Sequence, residues 1–575
     1  MAIEDRIAVA RGEEPADVLL RDGQLVNVLS GEIHPADVAI FDGRVVGFGR
    51  YQARQVVDLG GRFICPGFMD AHVHLESSMV KPSEFARAVV PHGTTAVACD
   101  PHEIANVLGL DGVYYILDAS RRQESGTPLG LPLNVYVMAP SCVPATLMET
   151  AGAELTAADI AEILTHDRVL GLAEMMNYPG VLFRVPSVLE KIKAAGDRPV
   201  DGHAPGLSGL DLNAYVAAGI RSDHECTDLE EAREKLRRGM HIFIREGTTA
   251  RNLHSLLPLV APENARLCHF CTDDRHPETL LTEGHIDDLV RKAIAWGLDP
   301  VIAIQMATVN TTEYFRLHNM GAVAPGYQAD LLVLDDLKTV QVAQVYAAGV
   351  LVADGGHFLP DVSSFTVPIR SSVHVDASAL GFTIVAGEGP ARVIGAIPGQ
   401  VVTDSLRLEP TVEGGYVVSD PVRDLLKIAV VERHHDTGRV GLGLVQGVGL
   451  KRGAIASSVA HDSHNLVVIG ASDDDMRAAI AAVADMGGGQ VTVAGGEVRA
   501  ACPLPIAGLM SDRPLAEVRD QVQALTEAAH ALGCTLPDPL MTMSFLALPV
   551  IPALKLTDRG LVDVRKFSLV PLFGE

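Results

Sequence analysis

From residue 63 onward the chain repeats one pattern: a short run rich in Val, Ile, Leu or Cys, a polar loop, then a stretch with helical spacing. Eight such runs end near His74, Asp100, Pro140, Glu174, His203, His224, Glu246 and Asp273. Apolar strands alternating with helical segments are the signature of βα units and a parallel sheet. Eight units in succession suggest a TIM barrel, with catalytic groups at the C-terminal ends of its strands. The helical segments carry their own signals. Thr227-Asp-Leu-Glu has capping-box spacing, and Leu229, Ala232, Leu236 and Met240 then share one helical face.

The flanks read differently. Asp17-Val-Leu-Leu-Arg-Asp-Gly and Val38-Ala-Ile-Phe-Asp-Gly-Arg-Val-Val-Gly are short strands with turn glycines, and similar strands return at Ala329-Asp-Leu-Leu-Val-Leu-Asp and Val345-Tyr-Ala-Ala-Gly-Val-Leu-Val. The two pieces are expected to pair across the intervening barrel. Beyond residue 360 come further β-like runs, a Gly487-Gly-Gly turn and a helical stretch from Pro514 to Leu532. The expected fold class is therefore α/β, a TIM-like (β/α)8 barrel with a small β-sandwich subdomain and a C-terminal α+β domain. The division is 1–62 plus 321–358 for the sandwich, 63–320 for the barrel, and 359–575 for the last domain.

Bulk properties narrow the partners. A formal net charge of −26 repels phosphate backbones and anionic membrane surfaces, so no nucleic acid and no membrane is expected. No run of about 18 apolar residues occurs. The acidic opening Met1-Ala-Ile-Glu-Asp lacks the basic and apolar regions of a secretory signal, so a cytoplasmic protein is expected. The eight cysteines have no framework spacing, and the single C-x-x-C, Cys268 and Cys271, sits in an apolar run and reads as packing.

The strongest chemical signal is Pro66-Gly-Phe-Met-Asp-Ala-His-Val-His. His72 and His74 are two apart on a strand, so both imidazoles point to the same side and can grip one cation. Glu174, His203, His224 and Asp273 each close another run. Neutral imidazoles with carboxylates suit first-row divalent metals such as manganese, iron or zinc. The H-x-E and P-C-x-x-C zinc-deaminase pair is absent, and nothing matches a P-loop or a G-x-S-x-G elbow.

At these residues the chain resembles the amidohydrolase superfamily, whose metal site takes an H-x-H from the first strand, two later histidines and an aspartate from the last. Several of its families bridge two metals with a carboxylated lysine, whereas here Glu174 stands at the fourth strand end, in Gly171-Leu-Ala-Glu-Met-Met-Asn-Tyr. With that departure, the sequence is similar to the adenine deaminase family along almost its whole length. The likeness runs through His74-Leu-Glu-Ser-Ser-Met, Cys99-Asp-Pro-His-Glu-Ile-Ala-Asn-Val, Phe270-Cys-Thr-Asp-Asp-Arg-His, His461-Asp-Ser-His-Asn and Ser544-Phe-Leu-Ala-Leu-Pro-Val-Ile-Pro.

The resemblance implies hydrolysis of adenine to hypoxanthine and ammonia, with two divalent metals per chain, manganese or iron favoured and zinc an alternative. His72, His74 and Asp273 would hold one metal, His203 and His224 the other, and Glu174 would bridge. Asp273 would accept the proton of the attacking water. Glu76, Asp100, His102, Glu103, Arg245 and Glu246 are the candidates for contact with the purine, with no choice among them. His461, His464 and Asn465 either close over the site or form an inter-domain network. A homo-oligomer, a dimer, is implied as well. The competing readings are a cyclic amidase or deacetylase on the same barrel, and a non-catalytic purine-binding barrel.

Overall fold

The computed structural model describes residues 3–121, 130–362 and 367–574. The first two residues of the acidic opening and the last residue of the C-terminal domain lie outside that range. Eight parallel strands carry the repeated pattern: β1 (Phe68–Val73), β2 (Thr94–Cys99), β3 (Asn134–Ala139), β4 (Val169–Met175), β5 (Val200–Gly202), β6 (Ser222–Asp223), β7 (His241–Arg245) and β8 (Cys268–Cys271). They pair in sequence order as a sheet of five, β1 to β5, and a sheet of three, β6 to β8. The first and last strands meet in a parallel bridge, Val73 to Asp273, where the Asp273 amide donates to the His72 carbonyl at 2.9 Å. Between β5 and β6, the Arg221 amide donates to the Val200 carbonyl at 3.0 Å.

Every residue of β1, β2 and β8 is buried, which is why these segments do not show the polar-out alternation of a half-exposed strand. Close strand approach also dictates Gly171 on β4, where a Cβ would stand 2.1 Å from the Pro199 carbonyl oxygen.

The helix after β6, Leu229–Arg237, is capped by Asp228, whose carboxylate accepts from the Glu230 and Glu231 amides at 3.0 Å each. The expected Thr227 cap is displaced by one residue. A carboxylate at the positive helix end is stabilised by the dipole as well as by the amides.

The flanking strands pair across the barrel as expected, into one hydrogen-bonded sheet of nine. Its seam is Phe63–Pro66, which pairs parallel with Ala16–Asn27 and antiparallel with Leu331–Leu334. The chain passes from that seam through Gly67 directly into β1, so the sheet anchors the strand that carries His72.

The C-terminal region is built on an eight-stranded mixed sheet, packed against the helices Asp473–Asp485 and Leu515–Ala531. It is joined to the barrel by a parallel bridge between Val80 and Ser511 and by paired bonds from Thr150 to the Asp558 carboxylate at 2.9 and 2.7 Å. One hydrophobic cluster runs across both, from Phe85 and Val89 to Leu509 and Met510. All eight cysteines are buried and free, as packing residues would be. No helix among the described residues is long and apolar enough to cross a membrane.

Candidate metal centre

The C-terminal ends of six of the eight strands, β1, β2, β4, β5, β6 and β8, deliver side chains to one buried cluster. His72 and His74 project to the same side, their Nε2 atoms 3.2 Å apart. The His74 Nδ1 donates to the Asp100 carbonyl at 2.9 Å, which places its proton on Nδ1 and turns the Nε2 lone pair into the cluster. Asp273 follows β8 with Oδ1 at 3.0 Å from His74 Nε2 and 3.6 Å from His72 Nε2. On the other side, His203 Nδ1 and His224 Nε2 stand 2.5 and 3.3 Å from Glu174 Oε2.

Glu174 links the halves. Its Oε1 faces His72 and His74 at 3.7 and 3.4 Å, while its Oε2 faces His203 and His224. Within this volume, His72 with His224 and Asp273, and Glu174 with His203 and His224, each offer three donor atoms close enough to share an ion. Burial opposes charge on His74 and His224, but the carboxylates of Glu174 and Asp273 outweigh it, lifting His74 well above its ordinary value and His224 to about 9. Burial likewise opposes ionisation of Glu174 and Asp273, yet the imidazoles, and Arg245 for Asp273, hold both well below the usual carboxylate range. Surroundings that draw protons onto imidazole lone pairs suit a divalent cation, which competes for the same lone pairs.

Supporting residues fix this geometry. Asp273 has φ of +57°, a left-handed backbone that Asp tolerates better than most residues and that tends to accompany functional sites. Its Oδ2 accepts from Arg245 at 2.6 Å, and the same guanidinium grips both oxygens of Glu225. Asp70 accepts from the His72 and Thr272 amides at 3.1 Å each, tying the first strand to the last. Asp223 accepts from the Ala204 and Glu225 amides at 2.9 and 2.8 Å, which secures the backbone just after His203 and His224.

The remaining sequence candidates divide. Asp100 and His102 reach the cluster: His102 Nδ1 lies 3.1 Å from Asp100 Oδ2 and 3.5 Å from Glu174 Oε1. Glu76 and Glu103 are buried one step further out, on the wall of an adjoining cavity. Glu76 accepts from the Ile104 amide through Oε1 and leaves Oε2 without a partner among the described residues; burial pushes its carboxyl up to about 7. Glu246 points elsewhere, to the Leu253 amide and Lys292, each at 3.2 Å.

Asp70, Asp223 and Glu225 were not singled out from the sequence. Glu225 could have been, since it directly follows a candidate ligand. The other two lie inside buried strands, where only a charged residue amid apolar neighbours marks them.

Comparison with known proteins identifies the family. Residues 63–352 match the amidohydrolase family, and residues 400–568 match the adenine deaminase C-terminal domain. An adenine deaminase of Desulfatibacillum aliphaticivorans is 54% identical over 99% of this chain and 100% of its own length. Those of Oleidesulfovibrio alaskensis and Methanothrix thermoacetophila are each 51% identical, covering 99% and 100% of this chain and 98% and 100% of theirs. A solved structure described as an adenine deaminase covers 59% of this chain and all of its own at 17% identity and a TM-score of 0.45, so the assignment stands on the sequence relatives. The chain belongs to the adenine deaminase family of the amidohydrolases.

Proposed function

We propose that the protein hydrolyses adenine to hypoxanthine and ammonia at this cluster, as a cytoplasmic homodimer serving purine salvage and with no nucleic-acid partner. The observation that carries the reading is the two-sided Glu174, one oxygen to each histidine pair. Two divalent metals fit such a donor set, with His72, His74 and Asp273 on one, His203 and His224 on the other, and Glu174 shared. The donor set of imidazoles and carboxylates suits manganese, iron or zinc, and the family resemblance favours manganese or iron. The eight strands form one closed (β/α)8 barrel over residues 63–320, between a β subdomain of 1–62 plus 321–358 and the domain at 359–575.

A divalent metal bound here supplies the positive charge that makes water acidic enough to attack near neutral pH. The chain's own groups do the rest. Arg245 holds Oδ2 of Asp273, leaving Oδ1 turned to the cluster as an ionised base. Asp273 takes the proton of the attacking water and passes it to the departing amine as the bond from the ring carbon to the amino nitrogen breaks. Negative charge that develops on the ring nitrogen needs a proton source, and Glu76, its carboxyl raised to about 7 by burial, is a wall group able to carry one.

The test is ammonia release from adenine by manganese-reconstituted protein beside a Glu174→Gln variant. Turnover by the wild type that falls at least about 100-fold in the variant is expected, in line with loss of a metal-positioning group. A wild type inert towards adenine that opens a dihydropyrimidine or hydantoin ring would replace this reading with a cyclic amidase.

A further inference from the structure

The cavity beside the cluster is not made by the barrel alone. Glu76, Ser77 and Glu103 form one wall, and His461, Gln490 and Met541 of the C-terminal domain form the other. Across this gap Glu103 accepts from two histidines, from His461 Nδ1 at 2.6 Å and from His464 Nε2. The histidines differ in what their second nitrogen does. His464 Nδ1 accepts from the Ala460 amide at 3.1 Å, so both its nitrogens are used and the ring is a neutral cross-link. The ring of His461 is stacked on Phe545 at 4.8 Å, and its Nε2 has no hydrogen bond among the described residues although the side chain lines the cavity.

A cross-link that served structure alone would satisfy both nitrogens, as His464 does, because buried polar atoms are as a rule paired. We propose that His461 is a catalytic residue contributed by the C-terminal domain: oriented by Glu103 through Nδ1, its Nε2–H donates a hydrogen bond to a ring nitrogen of the purine. This inference rests on the adenine reading. Burial disfavours a charged His461, but Glu103 outweighs it, with Asp274 and Asp462 adding to the effect, and raises the ring to about 9, so Nε2 carries a proton at neutral pH. Glu103 is the positioning residue, held from both sides so that the ring cannot swing.

The experiment compares kcat/KM for adenine, 3-deazaadenine and 7-deazaadenine in the wild type and in His461→Gln. The wild type is expected to disfavour the analogue that lacks the contacted nitrogen by about 10- to 100-fold, since a buried donor left unpaired is costly. In His461→Gln that penalty collapses towards parity, while metal content stays at the wild-type value. Both analogue penalties persisting unchanged in the variant would overturn the inference. Should His461→Gln fail to fold, His461→Asn, which also removes the imidazole, is read for the same ratio and judged the same way. A wild type that releases no ammonia from adenine refutes the deaminase reading itself, a result distinct from unchanged penalties in an active enzyme.

Discussion

Lys235→Met should destabilise the protein severely. The Lys235 ammonium is wholly buried between Asp223 at 3.1 Å and Glu231 at 2.7 Å and donates to the Ala204 carbonyl at 2.8 Å. Met fills nearly the same space, so the loss is electrostatic. Removing one partner of a buried pair leaves the other charge without compensation and costs about 3–5 kcal/mol. Asp223, itself fully buried, would be the stranded group, and it holds the backbone beside both His203 and His224. Affinity for a metal held by those histidines should fall with stability, by about 10- to 100-fold as for other supporting groups. The decisive comparison adds Asp223→Asn. With both charges gone the double variant should recover about 2 kcal/mol relative to Lys235→Met, because the stranded charge is the main cost. Urea unfolding at fixed manganese concentration measures the first quantity, since bound metal shifts the midpoint, and metal titration measures the second. A single variant within about 1 kcal/mol of wild type, or a double variant less stable than the single, would refute the argument.

Asp273→Asn keeps a residue type that tolerates the left-handed backbone but removes the proposed base, so kcat should fall about 10²- to 10⁴-fold with the fold retained, checked by steady-state kinetics and circular dichroism. Lys555, buried against the Val401 and Phe545 carbonyls, is pulled down to about 7 from an unfolded value of 10.5. The unfolded chain then binds the extra proton between those values, and its stability contribution rises with pH, by about 2 kcal/mol from pH 7 to 9 relative to Lys555→Met. Glu149 has the opposite sense: burial, then Asp462, pushes it up to about 8 from 4.5, so its contribution is complete below pH 4.5 and is lost as pH rises through 8. Glu149→Gln should therefore remove that fall in stability between pH 4.5 and 8, read as thermal midpoint against pH.

The strand ends were legible because each ligand candidate closes an apolar run, and period-two geometry settles the shared direction of His72 and His74 without any tertiary knowledge. What the sequence concealed depends on partners distant in the chain. Nothing near Asp70 announces that it ties β1 to Thr272 across the barrel seam. The different fates of His461 and His464, three residues apart, are decided by Glu103 and the Ala460 amide once two domains have met. The cap at Asp228 in place of Thr227 shows a smaller limit of the same kind, since adjacent residues with similar capping ability are separated only by where the helix axis falls. Strand patterning located the flanking β unit and the pairing of its two pieces, but not the register that makes Phe63–Pro66 the seam.

The seam at Phe63–Pro66 imposes a timetable on synthesis. Its antiparallel partner, Leu331–Leu334, leaves the ribosome about 270 residues later, which at ordinary elongation rates is about 13 to 50 seconds. Throughout that interval the early strands present an open edge, the feature of β proteins most prone to pairing with another chain. Slower translation of the barrel segment lengthens the exposure, so the yield of soluble protein should respond to codon choice between residues 67 and 330 more than to changes elsewhere.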